Sequence, residues 1–176
     1  PHEFIYNHDP IYGNTAKISM TDEEFRKYMF MMATRGTAFW ELYYSYNMFN
    51  TAKWRINADA LRFIRNNYET LKTSQFIGGS PEKGEDYGYS CWSENRGVIS
   101  LRNPANRQQS ITITLDETIG VNKGMQNLKM VYVYPYDKKT DGKTYSYGEV
   151  ITVNLMPLEV LIMKFSQVEE KLPQLV

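Results

Sequence analysis

A chain of 176 residues with 42% hydrophobic and 23% charged residues carries enough apolar material to bury a core in one domain or one and a half, which excludes a disordered chain. Twenty Lys plus Arg balance twenty Asp plus Glu, so the basic surplus expected of a nucleic-acid binder is missing. The single cysteine, Cys91, rules out an intrachain disulfide and any multi-cysteine metal site, and no run is apolar enough to span a bilayer.

The chain opens on Phe4-Ile5-Tyr6, a short apolar strand of the kind that is covered on both faces in a parallel sheet. Residues 7–20 form a loop rich in turn residues. Thr21-Asp22-Glu23-Glu24 is a capping box, with Thr21 as N-cap and Glu24 three positions on. Phe25, Tyr28, Met29 and Met32 follow on one helical face, and Arg35-Gly36 ends that helix. Residues 38–49 read as a second, strongly aromatic helix or an irregular segment. Asn50 or Thr51 caps a third helix, on which Leu61, Ile64, Tyr68 and Leu71 share a face.

At Gly78-Gly79 the writing changes. From Gln75 onward the period is two, and strands are expected over residues 75–77, 88–93, 98–102, 110–115, 128–134, 149–155 and 159–166. Turn chemistry separates them: Glu94-Asn95-Arg96-Gly97, Asn103-Pro104-Ala105-Asn106, and Asp137 to Lys143 with Asp141-Gly142. Short strands at this spacing, with no helical signal between them, indicate an antiparallel sandwich of about ninety residues. The expected division is 1–77 for the strand and helices and 78–176 for the sandwich. One strand and three helices cannot close a core alone, and the first residue is not methionine, so the chain is expected to be cut from a longer product.

That order of elements resembles the C-terminal part of the melibiase-like glycoside hydrolases, the α-galactosidases, α-N-acetylgalactosaminidases and their relatives. Tyr6-Asn7-His8-Asp9-Pro10-Ile11-Tyr12-Gly13 is similar to their Trp-Asn-Asp-Pro-Asp strand end, with His8 inserted and Ile11 in place of the second acid. Gly97-Val98-Ile99-Ser100-Leu101-Arg102-Asn103-Pro104 and Leu155-Met156-Pro157-Leu158-Glu159-Val160 resemble two strands of the sandwich in such enzymes. The resemblance implies an α+β chain in which the terminal strand and helices of a (β/α)8 barrel precede an antiparallel β-sandwich. It implies a divergent bacterial parent, secreted or periplasmic, that hydrolyses O-glycosyl bonds of a glycan. The missing N-terminal barrel portion of the same polypeptide is then a partner, and neither nucleic acid nor membrane is.

Glycoside hydrolysis needs two carboxyl groups about 5 to 10 Å apart, placed at the C-terminal ends of different barrel strands. The resemblance puts both upstream, so no catalytic residue is expected here and the chain alone should be inactive. Asn7, His8 and Asp9 are candidates for substrate contact, with an Asx turn before Pro10 as the competing reading of Asp9. Trp40 and Glu41, in the run Phe39-Trp40-Glu41-Leu42-Tyr43-Tyr44, are further candidates: a carboxylate among rings can be an acid, or simply a helix-surface charge or the partner of Arg35 or Lys53. His2 and His8 lie roughly 20 Å apart along a strand, too far to share an ion, and no metal or cofactor is called for. Asp137 to Gly142 imitates a calcium loop, but Lys139 holds one ligand position and no glutamate closes it, so a hairpin turn is expected. Cys91 reads as a buried, inert thiol. Tyr87, Tyr89 and Trp92 are expected on one face of a strand, sealing the sandwich against the third helix. The alternative to an enzyme piece is a stand-alone carbohydrate-binding or structural module.

Overall fold

The computed structural model describes residues 2–5, 20–36, 40–43 and 49–167, the stretches 2–5 and 40–43 through their backbone. Strand β1 (His2–Ile5) leads to helix α1 (Asp22–Ala33). The capping box forms as the sequence predicts: the Glu24 amide donates to Thr21 Oγ1 (3.2 Å) and the Thr21 amide to Glu24 Oε2 (2.8 Å). Strand β2 (Trp40–Tyr43) runs parallel to β1, with His2 opposite Trp40 and Ile5 opposite Tyr43. This corrects the aromatic helix or irregular segment expected over 38–49. Four residues are too few for a period to declare itself, and aromatic residues favour strands. The result is a β–α–β crossover.

Helix α2 (Thr51–Asn66) is capped by Asn50, whose Oδ1 accepts from the Lys53 amide at 2.8 Å. Its buried stripe is Ile56, Ala60, Phe63 and Ile64. Leu61 and Tyr68, expected on the buried face, are instead 40% and 39% exposed. The apolar stripe i, i+4, i+7 runs through Ile56, Ala60 and Phe63, and the helix breaks at Asn67 before a separate turn, α3 (Tyr68–Leu71).

Every expected strand is present, and together they make an antiparallel domain. β3 (Gln75–Gly78), β4 (Tyr87–Ser93), β5 (Arg96–Arg102), β10 (Val160–Ser166), β7 (Leu128–Tyr134) and the short β8 (Thr144–Tyr145) form a six-stranded sheet in that order. β6 (Gln109–Thr114) and β9 (Val150–Leu155) form a separate two-stranded ribbon. The sandwich is therefore lopsided. The ribbon covers one face of the large sheet, burying Leu101, Leu161, Met163 and Phe165, and the helices cover the other, burying Cys91, Val98, Val133 and Ile162. Double burial explains why β5 and β10 read as near-continuous apolar runs rather than strict alternation.

Helix α1 is fastened to the sheet at both ends. Near its start, Tyr134 donates to Glu23 and Arg26 donates to the Tyr136 hydroxyl (3.0 Å). At its end, buried Thr34 donates to Ser100 Oγ (2.6 Å), while its carbonyl accepts from Ser74 Oγ (2.6 Å) and Cys91 Sγ (3.6 Å). The Cys91 thiol is buried and pushed up to about 12 by that burial, which fits the inert thiol expected.

The two sandwich strands that resemble the hydrolases meet at one corner. The Asn103 amide donates to Glu159 O (2.9 Å) and the Leu158 amide to Ala105 O (3.1 Å), so the β5–β6 and β9–β10 loops are laced together. Residues 156–159 form a turn closed by Glu159 N to Met156 O (3.1 Å), with Leu158 at φ 57°. That is the position where a type II turn wants glycine or asparagine, and Leu158 is 51% exposed. We expect Leu158→Asn to raise stability by about 0.5–1 kcal/mol in urea denaturation, since the strain is relieved and little packing is lost. A destabilised variant would mean that the leucine packs better than its exposure indicates.

Candidate functional site

In a parallel β/α unit the functional end is the C-terminal end of the strands, where the loops leave for the helices. β1 reaches that end at Ile5 and β2 at Tyr43. Asn7, His8 and Asp9 follow β1 directly in the chain and lie outside the described residues. Trp40 and Glu41 are the first two residues of β2, opposite His2 and Glu3. They therefore open the strand at the end away from the loops. Glu41 belongs to a strand and not to a helix surface.

Around the start of α1 and α2 the structure assembles a cluster of charged and phenolic groups that the sequence did not single out. Asp59, 8% exposed, faces Arg26 at 3.6 Å and Arg62 at 2.8 Å. The Arg26 guanidinium also lies 5.4 Å from the centre of the Tyr136 ring. Lys53, 6% exposed, donates to Asp22 Oδ1 at 2.7 Å, and Asn50 Nδ2 donates to the same oxygen at 3.2 Å. Those two hydrogen bonds, the lysine's first, hold the Asp22 carboxyl below the usual range. The Tyr134 hydroxyl is pushed well above its usual range, first by burial and then by the Glu23 carboxylate it binds. Asp22, Glu23 and Asp59 are thus each engaged by a donor or cation. Their arrangement ties helices to sheet and offers no idle acid–base pair. The only advance signal for it was that Arg26 and Asp59 sit on helices whose other faces are apolar.

The aromatic row divides. Tyr87 and Tyr89 lie on the helix side with Phe76, the Phe76–Tyr87 rings stacked 5.9 Å apart. Trp92 points to the opposite side, packed on Phe165 at 5.5 Å with Nε1 donating to Ser90 Oγ (2.8 Å). The expectation of one shared face fails by parity: Trp92 is three residues from Tyr89, and alternate residues of a strand face opposite ways. Asp141 Oδ1 accepts from the Lys143 amide at 2.9 Å, an Asx turn, but β8 pairs with the start of β7, Leu128 opposite Tyr145, so residues 137–143 lie in a long connection and not in the tight hairpin turn expected. Among the described residues no three His, Cys, Asp or Glu side chains are grouped to hold a metal ion, and no helix is long and apolar enough to cross a membrane.

No protein-family model matches the chain, and no curated protein does. Solved structures do. An assigned α-N-acetylgalactosaminidase of Bacillus halodurans superposes with a TM-score of 0.53 at 14% identity, over 84% of this chain and 33% of its own. A family 27 β-L-arabinopyranosidase from Geobacillus stearothermophilus gives 0.53 at 12% identity, over 89% and 33%. An α-amylase of Anoxybacillus gives 0.50 at 9%, over 84% and 33%. The chain spans about a third of the length of these structures. At such identities the likeness is one of fold: the chain is built like part of a glycoside hydrolase.

Proposed function

We propose that this chain is the C-terminal piece of a secreted or periplasmic glycoside hydrolase. In this reading β1, α1, β2 and α2 are the last units of a (β/α)8 barrel, a sandwich follows them, and the carboxylates that cleave the O-glycosyl bond precede Pro1. The observation that carries it is the parallel pairing of β1 and β2 across α1. A two-stranded parallel sheet has two bare edges and is not a stable unit, whereas continuing strands on either side close it into a barrel. A second feature supports the reading: α2, already buried along one stripe, carries Trp54 and Leu61 two turns apart on another, 37% and 40% exposed. Helices of such a barrel are flanked by neighbours on both sides.

Asn7, His8 and Asp9 would then stand at the barrel mouth and contact the glycan. Trp40 and Glu41, at the opposite end of their strand, would support the barrel floor. A stand-alone module would need β1 and β2 to be finished off within the chain itself. The test is hydrolysis of an aryl α-galactoside and an aryl α-N-acetylgalactosaminide by this chain and by the polypeptide including its upstream residues. The longer polypeptide is expected to turn over and this chain to be silent. Activity from this chain alone would overturn the placement of the carboxylates.

A further inference from the structure

The β3–β4 connection and the start of β6 border an open cleft of about 500 Å³, where Ile111 of the ribbon-side core is among the lining residues. Its walls include Glu85, Asp86, Arg107, Gln109, Ser110 and Thr112. Gly78 and Gly79 make its geometry possible. A Cβ at Gly78, whose φ is +91°, would lie 2.6 Å from the Asp86 carbonyl, and one at Gly79 would lie 2.6 Å from the Glu85 side chain. Glu85 is held in place by the Ser80 amide, which donates to its Oε2 at 2.7 Å.

Asp86 is the anomaly. It is 8% exposed, yet its Oδ2 has no hydrogen-bond partner. Its Oδ1 receives Gln109 Nε2 (3.0 Å), but that nitrogen also lies within bonding distance of Gly84 O (2.9 Å) and Asn103 Oδ1 (2.9 Å). Two amide hydrogens serve three acceptors. A buried carboxylate so poorly supplied with donors is costly, and burial accordingly raises its affinity for a proton, with Gln109 and Arg107 opposing.

We propose that this cleft is a binding site for a neutral saccharide, with Asp86 accepting from a sugar hydroxyl. The walls carry both kinds of partner: acceptors in Asp86 and Glu85, donors in Arg107, and hydroxyls that serve as either in Ser110 and Thr112. That mixture suits vicinal hydroxyls. The two acids disfavour an anion and Arg107 disfavours a cation, while Ile111 adds an apolar wall beside the polar groups, a pairing that suits the C–H and hydroxyl faces of a sugar. The proposal does not rest on the barrel reading, because every residue in it belongs to the sandwich.

The experiment is an amide-resolved NMR titration of this chain with methyl α-D-galactoside, methyl α-D-glucoside and N-acetylglucosamine, with calcium chloride and sodium sulfate run in parallel. Saturable shifts confined to residues 79–86 and 107–112 are expected for at least one sugar. Asp86→Ala should weaken binding about tenfold or more, the loss of one charge-assisted hydrogen bond. Should that variant unfold, Ser110→Ala with Thr112→Val, both at exposed positions, should weaken it several-fold in a folded protein. Three outcomes overturn the proposal: no sugar shifts these amides, an ion shifts them in place of sugar, or the variants bind as tightly as the parent.

Discussion

Substituting alanine for Gly88 is expected to destabilise the domain by about 3 kcal/mol or more, at the far end of what a single added methyl does. Gly88 sits in β4 between Ile77 of β3 and Leu101 of β5. A Cβ there would stand 1.8 Å from the Ser100 carbonyl oxygen and 3.0 Å from the Leu101 Cα. Both are backbone atoms, so no rotamer change makes room. The strand itself must withdraw from β5, and the ladder that seats Tyr89, Cys91 and Trp92 goes with it. Gly97 supplies the control. Its added Cβ would meet the Trp92 ring at 2.3 Å, but a side chain can tilt, so Gly97→Ala should cost less than Gly88→Ala. Urea midpoints of the two variants decide the order; a Gly88→Ala protein within about 1 kcal/mol of the parent would show that β4 and β5 lie further apart than this.

The contrast between those glycines bears on what a sequence can announce. Gly88 was visible only as the start of a strand, because the closeness of Ser100 depends on a partner beyond a hairpin. The hairpin itself was legible in Glu94-Asn95-Arg96-Gly97, although the chain turns in two residues and not four, Ser93 pairing with Arg96. Thr21 and Glu24 were legible for the same reason, since a cap is a local bargain between residues three apart. β2 was not, being four aromatic-rich residues whose strand character comes from pairing with β1. Nor was the side on which Tyr68 falls, because the break at Asn67 resets the helical count. Of the candidate site, the chain order that puts Asn7, His8 and Asp9 after a strand end could be read from sequence. The Asp86 cleft could not, since Gln109 and Arg107 join it from another strand and the connection before it.

Asn103 shows how far a local signal can mislead, and its replacement is the second large effect to expect. Asn-Pro is a turn signature that normally describes a solvated side chain, yet Asn103 is wholly buried. Its Nδ2 lies 2.7 Å from Arg107 O, 3.0 Å from Met156 O and 3.3 Å from Leu155 O, and its Oδ1 accepts from Ala105 N and Gln109 Nε2, each at 2.9 Å. One amide thus serves both sandwich motifs that resemble the hydrolases, which explains their pairing without any role in chemistry. Asn103→Ala strands several buried polar groups at once and should cost about 3–5 kcal/mol. Asn103→Asp is the sharper test. A carboxylate in that place faces backbone carbonyls where Nδ2 had donated, while the protonated acid can still donate to one of them. The folded protein therefore holds the proton more tightly than the unfolded chain, so this variant's stability relative to the parent should be greatest in acid and fall as pH rises towards the folded-state pKa. Paired urea titrations across that range should show the Asn103→Asp deficit growing towards neutral pH while the Asn103→Ala deficit stays level. A deficit for Asn103→Asp that does not change with pH would mean that the amide does not hold the two loops together.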